Sequence, residues 1–297
     1  MSIDPKVSII IPTFNRANFL GQAIETALNQ TYACEVIVCD HGSTDNTPDF
    51  VKHYGERIKY LRREEDHGPH FCWLDALMNC SGDYVHFTYD DDWLEVDFIE
   101  KLMAKFTDEV GFVFARPKIY FDKLGTYGPH MEDLAKALGS KLTDGRGLSE
   151  DLAKYLLANN LVISPGCGIF RKKLAINALH AGDLPLAEHR YRGVGPDLMF
   201  SLLSLLFYKQ YAFIDEPLAI FRAHDASITI ESSSSKDKAL ALKRAYDEAF
   251  KYYLLLKTSR DNNLTTWLFW PTKLRNIFSK AKKLKKLPAK LRSLIKS

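Results

Sequence analysis

Cysteine is scarce in this sequence: five in 297 residues (Cys34, Cys39, Cys72, Cys80, Cys167), with no CxxC pair among them. A disulfide framework is therefore excluded, and the thiols read as reduced, mostly buried groups of a cytosolic protein. Long apolar runs are missing too. No stretch approaches the ~18 residues of a membrane-spanning helix. The opening segment, 1–12, carries acid and proline ahead of a short apolar run, which suits neither a signal peptide nor a span. No internal repeat is visible. What is present is a chain 46% hydrophobic and 12% aromatic, enough for the core of one large or two small domains.

Acidic residues are absent from 272–297, where Lys273, Arg275, Lys280, Lys282, Lys283, Lys285, Lys286, Lys290, Arg292 and Lys296 give +10. The whole chain is only +3, so the rest carries −7. Such asymmetry points to an anionic surface as partner. In the same tail Leu274, Ile277, Phe278, Ala281, Leu284, Leu287, Leu291, Leu294 and Ile295 recur at spacings of three and four, which gathers them on one helical face. Pro288 divides that helix in two. With Trp267, Phe269 and Trp270 ahead of it, the segment 267–297 reads as an interfacial anchor on an anionic membrane, and nucleic acid is not expected as a partner.

Val7-Ser8-Ile9-Ile10-Ile11, closed by Pro12, is β-branched and continuous, the pattern of a strand buried on both faces. Residues 19–30 have helical apolar spacing. Val36-Ile37-Val38-Cys39 is a second buried strand ending at Asp40, and Thr47 is placed to cap the next helix. Ile58 to Leu61 forms a third strand, Gly68 to Asn79 a helix, and Asp83 to Thr88 a fourth strand leading into Asp90-Asp91-Asp92. Alternation at this spacing predicts an α/β fold whose central sheet is mostly parallel and flanked by helices. Ligands bind such sheets beyond the carboxyl ends of the strands. Asn15, Asp40 and the acidic run should therefore line one crevice. The region 112–147 is interrupted by glycines and shows no clear pattern. Helices resume over Asp151 to Leu157 and Leu198 to Lys209, with short strands at Gly168-Ile169-Phe170 and Tyr211 to Ile214. Ser232 to Ser235 reads as a hinge before an amphipathic helix from Ala239 to Leu256. The expected organisation is a domain over 1–230, divided near 110, followed by C-terminal helices and tail over 236–297.

Three adjacent carboxylates disfavour one another's ionisation, and a bound cation relieves that cost. Hard oxygen ligands suit Mg2+ or Mn2+, which bridge to substrate phosphates and can stabilise a departing diphosphate. The competing reading is a solvated loop with Asp92 as a helix N-cap before Trp93.

Three motifs then carry a resemblance. Val7 to Arg16 resembles the opening strand and loop of family 2 glycosyltransferases. Cys39-Asp40-His41-Gly42-Ser43-Thr44-Asp45-Asn46-Thr47 is similar to their D-D-G-S-x-D-x-T loop. Ser81-Gly82-Asp83-Tyr84-Val85 running into Asp90-Asp91-Asp92-Trp93 resembles their strand and D-x-D metal motif. The resemblance covers roughly 6–225 and implies a GT-A fold. It implies a nucleotide-sugar donor, of which UDP is the expected nucleotide, bound by Pro12, Thr13, Phe14, Asn15, Arg16, Asp40, Gly68, Asp90 and Asp91. Asp40 would bond the nucleobase, although a turn carboxylate bonding its own loop is the alternative. Asp92, Asp90 and His224 are the implied metal ligands, with the register of the acidic run open. Gly195-Pro196-Asp197 occupies the place of the family's catalytic aspartate. Asp197 is thus the implied general base of an inverting transfer, or else a helix-terminal Asp favoured by the macrodipole. Phe221 to Ser227 resembles an R-x-H-x-x-S segment, in which Arg222 would neutralise phosphate oxygens. Ser164 to Gly168 resembles a segment beside the acceptor.

The sequence departs from the family at His41, at Pro196, and at Trp73-Leu74, where an arginine-asparagine pair is usual. Family and tail together imply a lipid-linked or oligosaccharide acceptor in O-antigen or capsule-type synthesis, at the cytoplasmic face of the inner membrane. Two readings compete. A sugar-nucleotide-forming nucleotidyltransferase would need a glycine-rich loop after the first strand, and 12–16 contains no glycine. A non-catalytic membrane-binding module would show no metal-dependent nucleotide binding.

Overall fold

A computed structural model of the chain describes residues 6–65, 68–122, 142–159, 161–179, 195–224, 227 and 236–261. The serine-rich hinge and the basic tail lie outside the described residues.

The β-branched opening run forms β1 (Val7–Thr13), buried along its whole length. It lies between two parallel neighbours, β2 (Cys34–Asp40) and β4 (Tyr84–Phe87), and β3 (Lys59–Arg62) adds to the far side of β2. The register sets Thr13 opposite Asp40, so both strands deliver their following loops at one edge. Helix α1 (Ala17–Leu28) buries Leu20, Ala23, Ile24 and Ala27, the i, i+3, i+4, i+7 face expected for a helix lying on a sheet. Helix α3 (Pro69–Asn79) does the same with Cys72, Trp73, Ala76 and Leu77. Between them, α2 (Thr47–Lys52) begins at Thr47 but is not capped by it. Its amide is held instead by the Asp45 carboxylate at 2.9 Å.

Beyond β4 the sheet changes character. Its order is β3-β2-β1-β4, then β8 (Gly168–Arg171), β6 (Val110–Phe121), β9 (Gln210–Ala223) and β5 (Trp93–Leu94), with β7 (Gly145–Leu148) also on β9. Strand β8 (Gly168–Arg171) runs antiparallel to both β4 and β6 (Val110–Phe121), while β6 and β9 (Gln210–Ala223) are parallel. The strands before about residue 90 pair with one another only in parallel, and with the long parallel β6–β9 pair they give the mostly parallel α/β sheet expected, which the short strands β8, β5 and β7 join antiparallel. Strand β6 fills the start of the stretch that showed no clear pattern. Its inner half is buried on both faces, and register shifts at Ala115, Arg116 and Pro117 let a proline sit in the strand. That bulge hides the two-residue period from the sequence.

Trp93 does not open a helix. It forms β5 (Trp93–Leu94), paired antiparallel with Ile220 and Ala219 of β9, so Asp92 is not an N-cap. Helices α4 (Phe98–Met103), α5 (Ser149–Asn159), α6 (Lys172–Ala178) and α7 (Pro196–Phe207) cover the second half. The final described helix, α8 (Lys236–Asp261), is longer than expected at both ends. It packs on α7, where the Arg260 guanidinium reaches the Leu206 carbonyl. Among the described residues no helix is long and apolar enough to cross a membrane.

Candidate active site

The acidic run is a turn at the carboxyl end of β4, closed by the Asp92 amide donating to the Tyr89 carbonyl at 3.1 Å. Successive residues of a turn point in different directions, so the three carboxylates fan out. Asp90 leans back on β1, where the Thr13 hydroxyl and the Phe14 amide favour its ionised form. Burial and then the charge of Asp91 prevail, and its carboxyl is pushed up to about 7. Asp92 turns towards β9 and accepts the Arg222 amide at 2.9 Å. Burial, followed by the charge of Asp91, lifts its carboxyl well above the usual range.

Asp91 faces the crevice. Its Oδ2 lies 2.9 Å from His224 Nε2 and 3.8 Å from the Arg16 guanidinium. His224 is stacked on Phe19 of α1, with ring centroids 4.7 Å apart. The structure therefore brings together Asp91, His224 and Arg16. It does not gather Asp90, Asp92 and His224, the set implied by the family motif. Among the described residues no cluster of three or more His, Cys, Asp or Glu side chains encloses a metal. A carboxylate and an imidazole facing each other nonetheless suit a hard, hydrated cation that takes its remaining ligands from water and phosphate oxygens.

Arg222 supports this turn. Its Nε donates to the Asp91 carbonyl at 3.1 Å and its Nη1 to Asp122 at 2.9 Å, while Nη2 bonds Gln22. Trp93, Phe19 and Tyr120 surround the guanidinium at 4.9, 5.3 and 5.8 Å. All three guanidinium nitrogens are engaged, so the side chain braces the turn. Arg222→Lys keeps the charge but loses the fork. The expected result is a turnover lowered by roughly 10- to 100-fold through misplacement of Asp91, measured at saturating donor; an unchanged rate would remove the strut role.

The loops after β1 and β2 are tied together. Asn15 adopts a left-handed φ of 56°, and its Oδ1 accepts the Thr44 and Asp45 amides at 2.8 and 3.2 Å. Asp40 is fully buried, with Oδ1 on the Ser43 amide at 2.8 Å and Oδ2 on the Tyr60 hydroxyl at 2.6 Å. It thus bonds its own turn, as a turn carboxylate does. Pro12 and Thr13 are buried, Phe14 is exposed, and Gly68 precedes α3 with φ 89°. Trp73 stands where the family usually has arginine. It faces the interior against Phe87, Tyr89 and Phe200, so this position serves the core.

Across the crevice, Asp197 is the second residue of α7. It follows Gly195, whose φ of 104° turns the chain into the helix. Its Oδ1 accepts the Gly195 and Leu198 amides at 2.8 and 2.7 Å, leaving Oδ2 to take a proton. Burial outweighs those amides and pushes the carboxyl up to about 6. Two tyrosines that the sequence did not single out stand near it: Tyr89, just ahead of the acidic turn, and Tyr246 of α8. Burial first, and then the charge of Asp197, lifts both phenols well above the tyrosine range. No motif marks Tyr246, because α8 lies beyond the segments that resemble the family.

A parallel first half, an acidic turn after its last strand and a mixed second half define a GT-A-like glycosyltransferase fold. The chain belongs to glycosyl transferase family 2, whose model matches residues 8–178. It is 34% identical over 152 residues to the GalNAc(5)-diNAcBac-PP-undecaprenol beta-1,3-glucosyltransferase of Campylobacter jejuni, covering 50% of this chain and 45% of that protein. It is 35% identical over 112 residues to glycosyltransferase GlyA of Streptococcus pneumoniae, covering 36% of this chain and 16% of that one. The chain thus spans less than half the length of either relative. In fold it is similar to S. aureus TarS 1-349 in complex with UDP-GlcNAc (TM-score 0.61, 18% identity, 84% of this chain and 66% of that). The mannosyltransferase PcManGT of Pyrobaculum calidifontis, in complex with GDP-Man and Mn2+, is also similar (TM-score 0.52, 16% identity, 99% of this chain and 86% of that).

Proposed function

We propose that this protein transfers a sugar, with inversion, from a nucleoside diphosphate sugar to an acceptor hydroxyl, using Mn2+ or Mg2+. The observation that carries this reading is the pairing of Asp91 with His224 at the end of β4, together with the half-buried Asp197 of α7, whose carboxyl is pushed up to about 6. Asp91 and His224 would hold the cation. It would supply a Lewis acid for the departing diphosphate. Arg16, beside Asp91, adds a fixed positive charge for the same oxygens. Asp197 Oδ2 takes the proton of the acceptor hydroxyl as that oxygen attacks the anomeric carbon, and the bond to the diphosphate breaks with its electron pair.

The acceptor proposed is a lipid-linked glycan. In support, the Campylobacter relative is named for a GalNAc(5)-diNAcBac-PP-undecaprenol substrate. The ten basic residues of 272–297 would hold the enzyme on the anionic inner face of the cell membrane. Titration of UDP into the protein by calorimetry, with and without Mn2+, tests the central claim. Binding is expected with the metal and at least about tenfold weaker without it. Metal-independent binding, or none, would sink the transferase reading.

A further inference from the structure

Three of the five cysteines are held within their own segments. Cys34 donates to the Tyr32 carbonyl at 3.1 Å, Cys80 to that of Leu77 at 3.3 Å and Cys167 to that of Ser164 at 3.1 Å. Cys39 and Cys72 differ. They are 33 positions apart, at the end of β2 and in the first turn of α3, yet each Sγ donates to the other's backbone carbonyl at 3.1 Å. The two thiols also interact with one another. Both side chains are buried, Cys39 1% and Cys72 0% exposed.

An isolated buried cysteine behaves as a small apolar residue with a weak S–H donor, which the nearest carbonyl satisfies. Here the contact is reciprocal, and it joins the central sheet to a helix that covers it. Rotation of the two side chains, with a small closing movement of α3, brings sulfur to sulfur.

We propose that Cys39 and Cys72 form a redox-sensitive pair that a peroxide converts to a disulfide, and that this bridge locks α3 onto β2. One thiolate attacks a peroxide oxygen, the O–O bond breaks and hydroxide leaves, giving a sulfenic acid. The second sulfur attacks the sulfenic sulfur and expels its oxygen, which is protonated to water. Two thiols and one hydrogen peroxide thus give one disulfide and two waters, the sulfurs oxidised and the peroxide oxygens reduced. Burial, and then the neighbouring Cys39 thiol, push the Cys72 thiol well above its ordinary value. Its thiolate is therefore scarce, and the reaction is slow at neutral pH. In a reducing compartment the pair rests as a dithiol and closes only while oxidant persists. Trp73, next in the chain, packs against Tyr89 just ahead of the acidic turn. The bridge thus fixes the helix on which that contact depends, although neither sulfur takes part in the proposed transfer.

The test is to treat the full chain with hydrogen peroxide, alkylate it in guanidinium chloride, digest it without reductant and weigh the peptides. One cross-linked pair carrying Cys39 and Cys72 is expected, about 2 Da below the sum of its parts for the two hydrogens lost, with the other three thiols alkylated. The melting temperature should rise by about 4–10 °C, because the bridge constrains the unfolded chain. Dithiothreitol should reverse both changes. Cys72→Ser, whose hydroxyl can keep the hydrogen bond to the Cys39 carbonyl, should show neither, and Cys39→Ser repeats the test from the other side. Cys34→Ser should retain both. Cross-links shared among other cysteines, oxides at Cys39 or Cys72 without a bridge, two thiols still free after prolonged exposure, or a bridge that lowers the melting temperature would overturn the proposal.

Discussion

Asp91→Asn is expected to lower turnover by about 10²–10³-fold and to move the Mn2+ concentration for half-maximal rate sharply upward. The substitution keeps the shape of the side chain but removes the charge that faces His224 at 2.9 Å and Arg16 at 3.8 Å. A neutral amide oxygen is a much poorer ligand for a hard cation than a carboxylate. Asp92→Asn should behave differently. The contact of Asp92 is with the Arg222 amide, and an asparagine carbonyl can accept that hydrogen bond equally well. Its neutral form also suits a site where burial already lifts the carboxyl well above the usual range. The rate of Asp92→Asn should therefore stay within about tenfold of the parent at saturating Mn2+. Metal titrations of turnover for both variants decide the register of the acidic run. Equal losses, or a larger one in Asp92→Asn, would return the metal to Asp92.

The second large effect concerns Asp197. Asp197→Asn should lower kcat by about 10²–10⁴-fold and leave Mn2+-dependent UDP binding near its original strength. The carboxyl sits across the crevice on α7 and makes no contact with Asp91 or His224. The same residue sets a pH dependence. A general base works as the carboxylate, and burial has raised this carboxyl from the ordinary 3.8 to about 6. The rate should be full above about pH 7 and fall close to tenfold per unit below pH 6. Folding responds in the opposite sense. The protonated form is the better tolerated one in the native state, so the contribution of Asp197 to stability is lost as pH rises from about 4 through 6. A pH–rate profile with no acid limb near 6, alongside an active Asp197→Asn, would remove the residue from the mechanism.

Much of the parallel half was legible because its signals are local. A β-branched run such as Val7 to Ile11 has one plausible home, a strand covered on both faces, and helical spacing over residues 20–28 is equally direct. The second half was harder because its strands are irregular. Strand β6 carries a proline at a bulge, and β9 runs for 14 residues through Asp215-Glu216-Pro217, which reads as a turn in isolation. Only pairing with β6 keeps that stretch extended, and pairing partners 100 residues away leave no local trace. The site shows the same division. Motifs and strand ends were enough to single out Asp91, Asp197 and His224 as candidates. Which carboxylate meets His224 did not, since it depends on a turn and on a backbone contact from β9. The surroundings of Arg222 were out of reach as well, because its neighbours (Gln22, Asp122 and three aromatic rings) come from three separate segments.

Tyr246 brings the last described helix to the side of Asp197, 49 positions after it in the chain. On the ribosome, the strands and turn that bind the donor emerge well before α8. Before that helix docks on α7, Asp197 would be more open to water and its carboxyl closer to the ordinary range. Under the proposed function, a nascent chain would therefore complete its donor side before its base reaches full strength.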